Sequence, residues 1–283
     1  MKSALSFTIN FINMKKIISL LLSTILLVFF CSFCTNNDDS NNAKTNTYVL
    51  VHGAWQAPYV WDAVRADLES KGNKVIVVEL PGHGSDQTPT HTISLEVYRN
   101  KVTDAISKAG GQVILVGHSM GGMVITTVAE QVPATIKKLV YIGAFIPVSG
   151  QSLGELAMTD PGSQLGPQIV ESADHLTLDV KRESLTNLFI GDGSPAMKDL
   201  VMTNYRPEPA IPFGNKVTLT VANFGAVDKA YIKTANDIVI SPSLQDKMIA
   251  SAGIKNVYSV NTSHSPFLSQ PQAVSALLLK IAQ

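Results

Sequence analysis

Unbroken apolar runs rich in β-branched residues recur along the chain, separated by segments of helical periodicity. Thr47-Tyr-Val-Leu-Val51 runs into His52-Gly53, Lys74-Val-Ile-Val-Val-Glu-Leu80 into Pro81-Gly82-His83-Gly84, and Gln112-Val-Ile-Leu-Val116 into Gly117. Lys138–Ile142, Tyr231–Ala235 and Asn256–Val260 have the same character. Short apolar runs bounded by turn residues read as strands buried on both faces. Between them, residues 58–70 carry Val60, Trp61, Val64 and Leu68 at helical spacing before Gly72, and residues 94–108 and Met120–Gln131 read as further helices. Strands alternating with helices predict an α/β fold, a mostly parallel sheet with helices on both faces.

Residues 147–214 break that rhythm with Pro147, Gly150, Pro161-Gly162, Gly166-Pro167, Gly191-Asp-Gly193, Pro207, Pro209 and Pro212. A stretch this long exceeds a plain connection between two strands. It predicts a small cap inserted into a domain spanning residues 46–283, with weak helices in it.

The N-terminus has a different pattern. Lys15-Lys16 precedes an apolar run, Ile17–Phe30, then Cys31-Ser-Phe-Cys34 and the polar stretch Thr35–Lys44. A basic pair before an apolar run that is short for a membrane span reads as a signal peptide. A cysteine followed by Asn, Asp and Ser resembles a bacterial lipoprotein signal. Residues 1–34 are therefore expected to be a signal peptide of lipoprotein type, residues 35–45 a flexible linker, and Cys34, or else Cys31, the lipidated residue. Met14 is an alternative start. The expectation is an exported chain, membrane-anchored through lipid and facing the periplasm or surface, otherwise secreted.

Composition narrows the chemistry. Of 283 residues, 45% are hydrophobic, enough for a sizeable core, and 22 Lys+Arg balance 22 Asp+Glu. A chain without net positive charge lacks the electrostatic footprint of a nucleic-acid binder. Both cysteines lie before Thr35, so the globular region holds neither a disulfide nor a cysteine-built metal site.

Gly117-His118-Ser119-Met120-Gly121 follows a strand and opens a helix, the setting of a nucleophile elbow. The sharp turn exposes the serine hydroxyl, and the helix N-terminus faces the developing oxyanion. A serine needs a base. Of the six histidines, only His175 and His264 follow Ser119, and His175 falls among polar cap residues. His264, in the loop after the last strand, is the candidate base. Its orienting acid should end the preceding strand. Asp237 does so, whereas Asp228 lies at the opposite edge and Asp246 within the next helix. The oxyanion donors expected are the Met120 N–H and the Ala54 N–H of the loop after the first strand. Gly53, Trp55, Tyr59 and Phe145 are the candidate pocket residues. His52 is read as a buttress of that loop, His83 as packing in its own turn, and His118 as a variable elbow position. No metal-ligand pattern emerges.

With these residues placed, the chain resembles the α/β-hydrolase superfamily, specifically the plant-type methylesterase and hydroxynitrile lyase group with its bacterial esterase relatives. The stretches that carry the resemblance are Tyr48–Trp55, Val113–Gly122, Phe145-Ile-Pro147, Arg206-Pro-Glu-Pro209, Tyr231–Asp237 and His264–Pro271. It implies a Ser/His/Asp triad acting on small carboxylic esters without a cofactor, and a small-molecule ester as partner. Lyases of the group tend to carry threonine after the first-strand histidine and lysine beside the catalytic histidine. Gly53 and Ser265 stand at those positions and favour the esterase over lyase-like activity. A hydrolase-fold binding protein with slow or no turnover is the other alternative. A fluorophosphonate should label Ser119 in a working esterase, read as added mass on its peptide, and leave a vestigial site unmodified.

Overall fold

The computed structural model describes residues 45–283. The expected signal peptide, Cys31, Cys34, Met14 and residues 35–44 of the expected linker lie outside the described residues. The described chain forms β1 (Thr47–Val51), β2 (Lys74–Val78), β3 (Val113–His118), β4 (Ile136–Ile142), β5 (Ile169–Glu171), β6 (Thr177–Val180), β7 (Glu208–Pro209), β8 (Lys229–Thr234) and β9 (Asn256–Val260). Six of these make one parallel sheet in the order β2-β1-β3-β4-β8-β9.

The inner strands β1, β3, β4 and β8 are buried on both faces, and alternate residues supply two separate cores. Val49, Val51, Val113, Leu115, Leu139, Tyr141 and Tyr231 enter one core. Tyr48, Leu50, Ile114, Val116, Val140, Ile142, Ala230 and Ile232 enter the other. The period of two along each strand makes this division inevitable. Against the second core pack α1 (Asp62–Ser70), through Val64 and Leu68, and the C-terminal helix, through Val274, Leu278 and Ile281. The first core receives Tyr98, Val102 and Ile106 of α2 (Leu95–Ala109) and Met123, Val124 and Val128 of α3 (Gly121–Gln131). Helix α2 starts where Ser94 accepts a hydrogen bond from the Val97 N–H and stops at Gly110, whose φ of 70° suits glycine.

Between β4 and β8 the chain leaves the sheet. This excursion holds α4 (Leu153–Ala157), the antiparallel sheet β5-β6-β7, α5 (Leu185–Ile190), α6 (Pro195–Asn204) and α7 (Ile211–Gly214). The three short strands differ from the weak helices expected there. The excursion also runs on to Lys229, past residue 214, because the Glu130 carboxylate of α3 accepts from the Thr220 and Phe224 N–H groups and ties that loop to the sheet domain. After β8 come α8 (Pro242–Ser251), α9 (Pro266–Ser269) and α10 (Pro271–Ile281).

The order in the sheet reverses after β2, so the chain steps from one side of β1 to the other. The C-terminal ends of β1 and β3 thereby form a topological switch point, where open α/β sheets bind ligands. Helix α3 leaves that point with Gly122 against the backbone of Phe145, and a Cβ there would overlap the Phe145 carbonyl oxygen. Gly122→Ala should therefore lower stability by about 2 kcal/mol, read from the urea unfolding midpoint.

Candidate active site

Strand β3 is buried throughout and leads directly into Ser119, whose φ of 53° places a non-glycine residue in the left-handed region. Such a conformation costs about 1–3 kcal/mol and persists only where surroundings impose it. The glycines around it impose it. A Cβ on Gly117 would stand 2.7 Å from the Gly121 carbonyl oxygen, and one on Gly121 would stand 2.8 Å from that of His52. A Cβ on Gly53 would meet both Ser119 Cβ and His118 Nδ1 at 2.8 Å. The exits of β1 and β3 thus touch with no room for side chains. The Ser119 carbonyl accepts from the Gly122 and Phe145 N–H groups at 3.0 and 3.1 Å, which fixes the turn.

Asp237 lies just past β8 and is buried. Its Oδ1 accepts from the Val239 and Ile240 N–H groups at 2.8 and 3.0 Å, and its Oδ2 from Thr234 Oγ1 at 2.7 Å. The fourth donor is His264 Nδ1, at 2.8 Å. Four donors fix the carboxylate in place. His264 is 1% exposed, and its carbonyl accepts from His118 Nε2 at 2.9 Å while the two rings sit 4.5 Å apart. Its Nε2 bonds to no protein group among the described residues. No hydrogen bond joins it to Ser119 Oγ in this structure, and such contacts tighten when substrate occupies a site. Asp228 and Asp246 pair instead with Lys138 and Lys233 at the surface.

The donor loop after β1 is oriented by His52. Its Nε2 accepts the Leu80 N–H at 3.2 Å, so Nδ1 carries the proton and donates to the Gly53 carbonyl at 2.9 Å. A trans peptide points its N–H opposite its carbonyl, so this one bond aims the Ala54 N–H. Neither the Ala54 nor the Met120 N–H donates to another group among the described residues, and both residues line the same cavity as Ser119. Burial, reinforced by the nearby His83, pushes the His52 pKa down to about 3. Burial and the adjacent His264 likewise hold His118 well below the ordinary histidine value. Both rings are neutral hydrogen-bonding struts.

That cavity has a volume of about 480 Å³. Trp55, Phe145 and Phe213 supply aromatic walls, and Leu153, Leu165, Ile169 and Val239 aliphatic ones. Gly53 and Tyr59, expected in the pocket, do not line it. Gly53 is spent on the contact with the elbow. Tyr59 sits in the 3-10 turn Pro58–Trp61, packs toward the core of α1 and α10, and borders a separate groove with Glu79 and Arg206.

A family model described as "Alpha/beta hydrolase family" matches residues 48–277. The chain belongs to the α/β-hydrolase family. Within it the chain falls in the methylesterase group. It is 32% identical over 258 residues to "Putative methylesterase 11, chloroplastic" of Arabidopsis thaliana, an overlap covering 86% of this chain and 65% of that relative's length. It is 28% identical to the pyrethroid hydrolase of Sphingobium wenxiniae over 83% of this chain and 86% of that protein. The structure of polyneuridine aldehyde esterase shares the fold, with a TM-score of 0.74 at 23% identity, over 85% of this chain and all of that one.

Two residues of this α/β-hydrolase site were given no role in the sequence reading, although Glu208 lies in one of the stretches that carry the resemblance. Glu208, in the short cap strand β7, is fully buried and accepts from the Trp55 N–H at 2.8 Å, from His83 Nε2 at 2.7 Å and from Tyr98 Oη at 3.1 Å. Asp160, bordering the cavity, accepts from the Ser241 N–H at 2.8 Å beside the start of α8. The available signal for Glu208 was an acid between two prolines in Arg206-Pro-Glu-Pro209.

The buried histidines His52 and His118, whose pKa values are lowered, make stability depend on pH, with His83, whose pKa is raised, acting in the opposite sense. His52 titrates near 6.5 when unfolded but near 3 when folded, so the unfolded chain binds its proton first and stability falls as pH drops from about 6.5 toward 3. His118 adds in the same direction. The urea midpoint should therefore be lower at pH 5 than at pH 7, and His118→Gln should shrink that difference.

Proposed function

We propose that this α/β-hydrolase cleaves small carboxylic esters through an acyl-enzyme formed on Ser119. The observation that carries the reading is the convergence on one cavity of an elbow serine and two unengaged N–H groups, beside a buried His264–Asp237 pair. In this reading Ser119 Oγ attacks the ester carbonyl carbon while His264 Nε2 takes its proton. Asp237 orients the ring and stabilises the imidazolium. The carbonyl oxygen, now carrying the negative charge, accepts from Ala54 and Met120, each donor contributing about 3 kcal/mol to lowering the barrier. His264 returns the proton to the departing alcohol. A water, deprotonated by His264, then releases the acid and restores Ser119.

The cavity walls bear on the substrate. Among the described residues no Lys, Arg or His lines them, and Asp160 is the one ionisable group there. A neutral ester with apolar acid and alcohol parts suits such walls, whereas a free carboxylate would find no cation and would face Asp160. The names of two relatives agree in kind, since methylesterase and pyrethroid hydrolase both denote ester cleavage. Lyase-like chemistry finds less support. Ser265 is fully buried, and its hydroxyl accepts from Gln56 at 2.9 Å rather than facing the cavity. Export, with a lipid on Cys34 or Cys31, completes the proposal and rests on the N-terminal pattern alone.

Ser119→Ala should abolish hydrolysis of p-nitrophenyl acetate with an unchanged circular dichroism spectrum. Asp237→Asn should cut kcat by about 10³–10⁴-fold. Wild-type rates in the Ser119 variant would refute the reading.

A further inference from the structure

The contacts of Glu208 have a consequence for the donor loop. Trp55 adopts a φ of 58°, a left-handed conformation in a bulky residue that nothing in its own sequence favours. Two hydrogen bonds from the cap hold it there: the Trp55 N–H donates to Glu208 Oε2 at 2.8 Å, and the indole Nε1–H donates to the Leu178 carbonyl at 2.8 Å. The peptide before Ala54 is clamped by His52, and the peptide after it, which carries the Trp55 N–H, is clamped by Glu208. Ala54 therefore sits between two fixed planes, one strut coming from β1 and the other from the cap.

A bare carboxylate in this position would oppose a developing oxyanion one residue away. Here it is neutralised. His83 Nδ1 lies 3.0 Å from the Pro81 carbonyl and Nε2 lies 2.7 Å from Glu208 Oε2. Both ring nitrogens face acceptors, so the His83–Glu208 pair holds one proton more than a neutral histidine beside a carboxylate and carries no net charge. Burial works against that proton, but the Glu208 carboxylate outweighs it and the His83 pKa is raised. The other groups facing His83 are His52, its ring centre 4.8 Å away, Tyr98 of α2 at 5.6 Å, and Arg206, whose charge opposes the proton.

We propose that Glu208, neutralised by His83, is a positioning residue for acyl transfer: a cap carboxylate that sets the aim of the Ala54 N–H through the Trp55 peptide. It touches no reacting atom. The inference rests on the ester-hydrolase reading and deepens it, making the cap part of the oxyanion site. The proton on His83 then matters to catalysis as well as to folding. Its loss at alkaline pH leaves a buried net negative charge beside the oxyanion, so kcat falls as pH rises through the raised His83 pKa.

The test compares wild type, Glu208→Ala and Glu208→Gln on p-nitrophenyl acetate from pH 6 to 10, with melting temperatures and with Ser119→Ala as the inactive reference. Glu208→Ala removes the Trp55 acceptor and should lower kcat about 10- to 100-fold with KM within about threefold, since the cavity walls remain. Glu208→Gln keeps an acceptor of the same shape and should recover kcat to within about threefold of wild type near pH 7. It carries no anion to hold the extra proton on His83, so its kcat should not share the wild-type alkaline decline. Lower melting temperatures with kcat intact in both variants would reduce Glu208 to a structural residue and overturn the proposal. So would a rise in KM alone. Should Glu208→Ala fail to fold, Glu208→Gln decides: an alkaline limb unchanged from wild type overturns the proposal. An active wild type with indifferent variants rejects this inference and leaves the esterase reading standing. An inactive wild type rejects both.

Discussion

The exits of β1 and β3 run so close together that side chains cannot stand between them, and the site is built on this contact. Gly53 faces Ser119 and His118, Gly121 faces the His52 carbonyl, and Gly117 faces Gly121, each at a distance no Cβ would tolerate. The parallel neighbours β1 and β3, registered from Tyr48 with Ile114 to Val51 with Gly117, deliver these two exits at the same height. A serine and a peptide N–H from segments about 65 residues apart in the chain are thereby placed next to one another by backbone contact. Backbone is the stiffest material available for the purpose.

Around this contact the molecule uses histidines as hydrogen-bonding struts, His52 through both ring nitrogens and His118 and His264 through one each. His52 bridges the Leu80 N–H and the Gly53 carbonyl, His118 reaches the His264 carbonyl, and His264 reaches Asp237. A neutral imidazole donates at one nitrogen and accepts at the other, so a buried ring can tie two segments without an unpaired charge. Burial keeps His52 and His118 neutral. His83 differs because its partner is a carboxylate, which raises its pKa against the effect of burial.

The cap does more than cover the cavity. It supplies Phe213 and Ile169 to the walls, the Leu178 carbonyl to the Trp55 indole and the Glu208 carboxylate to the Trp55 N–H. Arg206 in turn fastens it to the loop after β2 by donating to the Gly84 and Asp86 carbonyls. The cap and the loop after β1 are thus one hydrogen-bonded unit, in which changes to the cap reach the Ala54–Trp55 peptide directly.

The sheet, its covering helices and the elbow were legible in the sequence because their signals are local. Apolar runs mark strands buried on two faces, helical spacing marks α1 to α3, and Gly117-His118-Ser119-Met120-Gly121 needs only its own neighbours to turn. Chain order alone likewise separated Asp237 from Asp228 and Asp246. The cap sheet was not legible, since strands of three, four and two residues carry no periodicity to read. Nor was the place of Tyr59, whose 3-10 turn directs it away from the cavity its neighbour Trp55 lines. The stretch holding Glu208 stood out in the sequence but its role did not, for its partners lie 110 to 153 residues away. Sequence determined which residues could do the chemistry. The tertiary structure decided which backbone groups are held for it, because a peptide's direction is set by whatever its carbonyl and N–H meet across the fold.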